Sequence, residues 1–365
     1  MTEARLTGTL RVFHLFDIAE GTDLNQLHVI FGTRPSRREP AFRHPAPEYV
    51  RFERPPVMEP LDPCVTNDGQ AIIPRIRYFE YGVASVELQL SFEGTWEELV
   101  RFANRWISSS ELEGRAHTLL RERLGLIQPA LKKSYEAWIS EDYYVVQINP
   151  ILRGGEVSTA EELLAERGVE IAQIVRGEDT PLSKSEQQEV LQSSMSYYPT
   201  DLLVVGWVGA FVYDTPAGAL PTLDLLEYAN TQLLEFRYYD EVLTRLLADV
   251  YQRLERRRGF FSRWSLAREA ENLNTIRLDI RELSELTDNA IKFLSDMFYA
   301  RVYRLAANRV GVTDYHDLVG EKLTTAEDLY DSMVNEFHQG RAFVLELAVV
   351  IILIAEIALV FRGKG

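Results

Sequence analysis

The chain has 365 residues, 46% of them hydrophobic and 26% charged, with a formal net charge of -16. That length and apolar content suit two or three folded domains and exclude a wholly disordered chain. An acidic field of this size repels nucleic acid phosphates and anionic bilayers, so no nucleic acid partner is expected.

Cys64 is the sole cysteine, which excludes an internal disulfide framework and a multi-cysteine zinc site, as in a reducing compartment. The opening MTEARLTGTLRVFHLFDIAEG has neither an apolar signal run nor the acid-poor, Arg-rich character of a presequence, so a cytoplasmic body is expected. RVFHLF alternates as a strand does, and LHVIF after the turn-like GTD reads as a second, short strand. Residues 34–63 carry eight of the 15 prolines, interleaved with Arg34, Arg37, Arg38, Arg43, Arg51 and Arg54. This Pro/Arg-rich loop opposes helix and central strand alike.

Strands follow at 72–79 and 83–92, then a helix at 95–106 and a helical region from 110 to 139 interrupted near Pro129. DYYVVQINPIL reads as a strand, STAEE opens a capped helix at 158–167, and DLLVVGWVGAFVYD reads as one further strand. The pattern is α+β, arranged as two α/β lobes, residues 1–140 and 141–230. A constant offset of 126 residues aligns Ala84 with Ala210, Val86 with Val212, Leu99 with Leu225, Phe102 with Tyr228 and Asn104 with Asn230. Chance likeness between two strand-helix units is the alternative to a duplication. Duplicated lobes would pack about a pseudo-twofold axis, with a ligand crevice between them.

Residues 231–341 read as a helical stalk. Leu273, Ile276, Ile280, Leu283, Thr287, Ala290, Leu294 and Met297 alternate steps of three and four, the seam of a coiled coil or helical hairpin. GVTDYHD reads as the turn before a last helix that runs from 324 into an apolar segment. From that turn the last helix reaches the apolar segment within about 45 Å, while an unbroken preceding helix is about 70 Å long, so the latter must bend or splay. That would allow RRRGFFSRW to lie near a bilayer, since Arg256, Arg257 and Arg258 with Phe260, Phe261 and Trp264 have interfacial character. A hairpin tip folded back on the lobes is the competing reading.

Residues 342–361, AFVLELAVVIILIAEIALVF, span about 30 Å as a helix, the thickness of a hydrocarbon core. They read as a single C-terminal transmembrane helix. Glu346 and Glu356 interrupt it on one broad side, and Ala348 and Ala355 share a face where helices can approach closely. Membrane lipid and a second copy of the chain are therefore the expected partners, with protein partners unidentified.

No catalytic, metal or cofactor motif is legible. The six histidines, His14, His28, His44, His117, His316 and His338, lack metal-ligand spacing and read as surface or capping residues. Glu97/Glu98 and Glu161/Glu162 sit where helix starts favour carboxylates.

Leu345 with Glu346, an aliphatic stretch, and Ile354 to Glu356 place two glutamates ten apart around the apolar centre of the anchor. FEYGVASVELQ at 79–89 adds an aromatic-glycine strand. These features resemble the required-for-meiotic-nuclear-division family, which implies a membrane-anchored scaffold without accepted catalytic residues. The expected function is a membrane-anchored oligomeric scaffold presenting a cytoplasmic body to protein partners. A ligand-responsive membrane sensor with a site between the lobes is the second expectation, and an enzyme at the membrane surface the third.

Overall fold

The computed structural model describes residues 5–33, 55–107, 109–255, 275–278, 280, 281, 285 and 297–329. They form a mixed α+β structure around a large sheet. The strands are β1 (Leu6–Asp17), β2 (Ala19–Thr22), β3 (Val57–Pro60), β4 (Cys64–Val65), β5 (Ala71–Tyr78), β6 (Val83–Gly94), β7 (Leu131–Ser134), β8 (Ser140–Ile148), β9 (Leu152–Arg153), β10 (Glu156–Val157), β11 (Ser194–Met195), β12 (Leu202–Val205) and β13 (Gly209–Tyr213). The helices are α1 (Leu24–Ile30), α2 (Trp96–Ile107), α3 (Ser110–Ile127), α4 (Ala160–Arg176), α5 (Lys184–Leu191), α6 (Leu220–Glu255) and α7 (Met297–Val310).

One sheet runs β11-β12-β13-β8-β1-β6-β5-β3, with β4 also paired to β5. The two lobes expected from the sequence are the halves of this sheet, joined where β1 pairs with β8 from Gly8↔Ile148 to Phe16↔Ser140. The seam is a hydrogen-bonded ladder, so the expected crevice between separate lobes is not what joins them. Nor does a pseudo-twofold axis relate the halves. β6 runs antiparallel to β1, whereas β13 runs parallel to β8. The two helices aligned by the 126-residue offset also lie on opposite faces of the sheet.

Period-two patterning gives the sheet two different faces. On the apolar face, Leu10, Val12 and Phe16 of β1 join Val86, Leu88 and Leu90 of β6, and Tyr144, Val146 and Ile148 of β8. Trp96, Leu99, Ala103 and Trp106 of α2, Leu112, Ala116 and Leu120 of α3, and Ile171, Ile174 and Val175 of α4 cover them. The opposite face is also buried and is mixed, with Phe13, Leu15, Tyr143, Val145, Ala210 and Val212 on it beside a charged patch. Glu87, 0% exposed, accepts from Arg11 at 2.5 Å and from Arg75. Arg77 bridges Asp224 at 2.7 Å and Glu227 at 2.5 Å, both on α6. Tyr81 and Thr231 share a hydroxyl bond of 2.6 Å, and Tyr303 of α7 donates to Gln232. Three guanidiniums thus meet three carboxylates beneath the first turns of α6.

Several local expectations are corrected by this structure. LHVIF is helix rather than strand, because Asp23 caps α1 by accepting from the amides of Asn25 and Gln26. The helical region ends at Ile127, where a 3-10 turn containing Pro129 leads into β7. DLLVVGWVGAFVYD is a hairpin of two strands, with Gly206.N–H donating to the carbonyl of Gly209 across the turn. A side chain at Gly209 would lie 2.2 Å from the Tyr144 ring, so the β13–β8 pairing requires glycine there. GVTDYHD is not an extended turn. Only Gly311, at φ +90°, breaks the helix, and residues 312–329 are helical. The end of the Pro/Arg-rich loop forms the edge strand β3, while residues 34–54 lie outside the described residues.

The chain divides into two compact units, residues 1–238 with 282–316, and residues 239–281 with 317–365. Within the second unit, Lys322 pairs with Asp240 and donates to Thr244 at 2.7 Å, and Arg277 pairs with Glu327 at 3.1 Å. Leu243, Ile280, Val319 and Ala326 are buried. Most of the expected coiled-coil seam lies outside the described residues, and Met297, at its end, is 70% exposed. Among the described residues no helix is long and apolar enough to cross a membrane. The expected transmembrane helix, 342–361, lies outside them.

Glu87→Gln leaves Arg11 and Arg75 buried without their counter-charge and is expected to cost about 3–5 kcal/mol of unfolding free energy in urea denaturation. The combined replacement Arg11→Met with Glu87→Leu is expected to recover part of that loss, because it removes charge from both sides.

Candidate functional site

At the end of the β1–β8 ladder, α3 and the segment joining β7 to β8 bound an open cleft of about 490 Å³. The helix supplies Ser110, Glu113, Gly114, His117 and Arg121, spaced so that they fall along one side of α3. β1 supplies Phe16, and the joining segment supplies Glu136, Ala137, Trp138 and Ser140. Phe16 is buried against the sheet, His117 and Trp138 are half-buried, and Glu113, Arg121 and Glu136 stand exposed at the rim. The floor is aromatic and the rim is charged.

The rings are mutually inclined. Phe16 and His117 lie 6.0 Å apart between centroids at 66°, Phe16 and Trp138 5.8 Å at 63°, and His117 and Trp138 5.4 Å at 53°. The Arg121 guanidinium sits 5.2 Å from the Trp138 ring centroid. Its Nε donates to His117 Nε2 at 3.2 Å, which requires that nitrogen to carry no proton. Among the described residues Arg121, Glu113 and Glu136 form no ion pair.

The joining segment is fastened by backbone bonds at both ends. Tyr135.N–H donates to the Ile18 carbonyl at 2.8 Å, and Asp17.N–H donates to the Ile139 carbonyl at 3.2 Å. Trp138 therefore stands over the last residues of β1. Beneath it, on the other face, Asp17 is 2% exposed and Tyr135 stacks on Tyr238 at 5.3 Å.

Two buried groups beside the cleft titrate far from their usual range. Burial pushes the Asp17 carboxyl up to about 8, against a lowering contribution from the amide of Ala19. Burial alone lowers His14, two residues before Phe16 on the same face of β1, to about 4. Neither Asp17 Oδ1 nor His14 Nε2 has a hydrogen-bond partner among the described residues. His14 was expected at the surface and is instead a buried neutral imidazole.

Of the histidines named from sequence, His117 lines this cleft; none of the membrane-packing or interfacial residues expected from sequence does. Glu346, Ala348, Ala355, Glu356, Arg256, Arg257, Arg258, Phe260, Phe261 and Trp264 all lie outside the described residues. Among the described residues no group of three His, Cys, Asp or Glu side chains could hold a metal ion. The sequence signal for the cleft was the 110, 113, 117, 121 side of α3. It went unread because Trp138 was assigned to the same helical region rather than to a segment folded back over it.

The two buried titrations oppose each other, and the signs predict a pH signature. His14 protonates near 6.5 when unfolded and near 4 in the fold, so its contribution to stability is lost as pH falls from 6.5 to 4. Asp17 ionises near 3.8 when unfolded and near 8 in the fold, so stability is lost as pH rises from 3.8 to 8. Between pH 4 and 6.5 the two nearly cancel. Asp17→Asn is expected to leave stability at pH 3 unchanged and to raise it at pH 8 by about 2 kcal/mol or more, measured by denaturant unfolding across pH.

Residues 7–219 match the family described as "Uncharacterized protein MJ0711, N-terminal domain". That segment contains the whole cleft but not residues 345–356, which carry most of the resemblance to the required-for-meiotic-nuclear-division family. The chain is 20% identical over 205 residues to uncharacterized protein MJ0711 of Methanocaldococcus jannaschii, across 56% of this chain and 62% of that protein. It thus spans somewhat under two thirds of that relative's length. No solved structure matches the chain. Because the match covers more than half of its length, the chain belongs to the family of the MJ0711 N-terminal domain.

Proposed function

We propose that this protein binds a small molecule in the α3 cleft and is held at a membrane by residues 342–361. The observation that carries the reading is the cleft itself, lined by three inclined rings and by three charged side chains that have no ion-pair partner among the described residues. A concave site with an aromatic floor and a few convergent polar groups is the form that small-molecule sites take. The arrangement supports the ligand-responsive reading above the scaffold reading, with the site moved to the end of the ladder between the sheet halves.

Membrane attachment, a body on the cytoplasmic side and self-association through Ala348 and Ala355 belong to the same proposal. They rest on the apolar length of 342–361, on its two glutamates, and on the likeness of that segment to the meiotic-nuclear-division family. Anchoring concentrates the body where a ligand carried at or across the membrane would be met.

A ligand that binds only the folded chain raises its melting temperature by mass action. Screening the detergent-solubilised full chain against a set of charged, neutral and aromatic metabolites is expected to find compounds that shift the transition of the wild type and not of Trp138→Ala. Shifts that are identical in the variant, or absent throughout, would defeat the reading.

A further inference from the structure

We propose that the cleft selects an organic cation, an ammonium or guanidinium group on an apolar body, which replaces the Arg121 guanidinium on the Trp138 ring. The proposal rests on the reading of the cleft as a ligand site and adds the class of ligand.

The geometry already contains the interaction. A cation within about 6 Å of an indole centroid is attracted by the ring quadrupole. Arg121 occupies that position at 5.2 Å, and it does so without a carboxylate partner among the described residues. The chain's own cation fills the place. Phe16 and His117 pack against the same ring at 5.8 and 5.4 Å between centroids, so the wall beside Trp138 is aromatic. The base of the site is apolar, because Phe16 is 4% exposed and packs into the core.

Charge on the rim selects sign. Glu113 and Glu136 line the cleft with no ion-pair partner among the described residues, where Arg121 is the one guanidinium in its lining. An entering cation gains both carboxylates and the rings. An entering anion gains Arg121 alone and meets two like charges, within a chain of net charge -16. A neutral planar molecule could stack on the rings, but it must displace Arg121 and leaves both carboxylates uncompensated. Exchange of one cation for another preserves the charge of the cleft and frees the exposed Arg121 side chain, so occupancy changes what the rim presents to solvent.

The test compares matched pairs on the full chain in detergent by calorimetric titration: choline against 3,3-dimethylbutan-1-ol, and 2-phenylethylammonium against 2-phenylethanol. The charged member is expected to bind at least fivefold tighter in each pair. Arg121→Ala, which removes the resident competitor at an exposed position, is expected to tighten both cations about threefold or more. Glu113→Gln with Glu136→Gln is expected to weaken them severalfold, and Trp138→Leu to abolish the preference for charge. Equal or reversed affinity within both pairs, no binding of either cation, or weaker cation binding in Arg121→Ala would overturn the proposal. If the metabolite screen still yields Trp138-dependent shifts, the cleft remains a ligand site and only the class of ligand is wrong.

Discussion

The arrangement depends on β1 having neighbours on both edges. β6 pairs with it along its whole length and β8 along most of it, so its backbone is satisfied within the sheet and both of its faces must be covered. One face is ordinary hydrophobic core. The other carries Phe13 and Leu15 and, toward the β6 and β5 side, Arg11 with Glu87 and Gln89 of β6 and Arg75 and Arg77 of β5, a charged patch that an apolar helix cannot cover. The first turns of α6 answer with Asp224 and Glu227. Burial raises Glu227 and the Arg77 guanidinium beside it opposes that rise. The helix is therefore positioned by charge as much as by apolar area, and its register over the sheet is fixed by pairs that tolerate little sliding. Such layers specify an arrangement more than they stabilise it.

The cleft follows from the ends of the same strands. β1 and β8 finish together at Phe16 and Ser140, and α3 passes over that end with one side uncovered. The core side of α3 is spent on Leu112, Ala116 and Leu120. Its remaining side carries a carboxylate, an imidazole and a guanidinium at successive turns, facing a tryptophan supplied by another segment. Each piece is ordinary. Their convergence is what gives the site its chemistry.

Much of the fold was legible because its signals were strong and local. RVFHLF, the strands of β5 and β6 and the capped start of α4 appear where the sequence placed them, whereas α4 runs on to Arg176, past the expected end at 167, and α6 begins at Leu220, before the expected stalk. Errors arose where two local signals compete. LHVIF is rich in β-formers, yet Leu27 alone is buried, Val29 is 81% exposed, and the Asp23 cap decides for helix. GWVG reads as the middle of an apolar strand, but its glycines make it a turn. The pairing of the two halves into one sheet could not be read at all, because register between β1 and β8 is set over more than a hundred residues. The cleft was lost for the same reason, since His117 and Trp138 meet only after the chain reverses at Pro129 and passes through β7.

The double fastening of the segment between β7 and β8 bears on how the cleft would respond to occupancy. Residues 136–138 form a very short span whose ends are bonded to neighbouring residues, Asp17 and Ile18. The entropy of ordering that span has already been spent in folding, so little remains to be lost when something settles against Trp138. So short a span also has no slack. A displacement of the backbone at Trp138 would bear on the two bonds that tie the segment, at Asp17 and Ile18, where β1 gives way to β2. Stiffness thus couples the aromatic floor of the cleft to the end of one central strand.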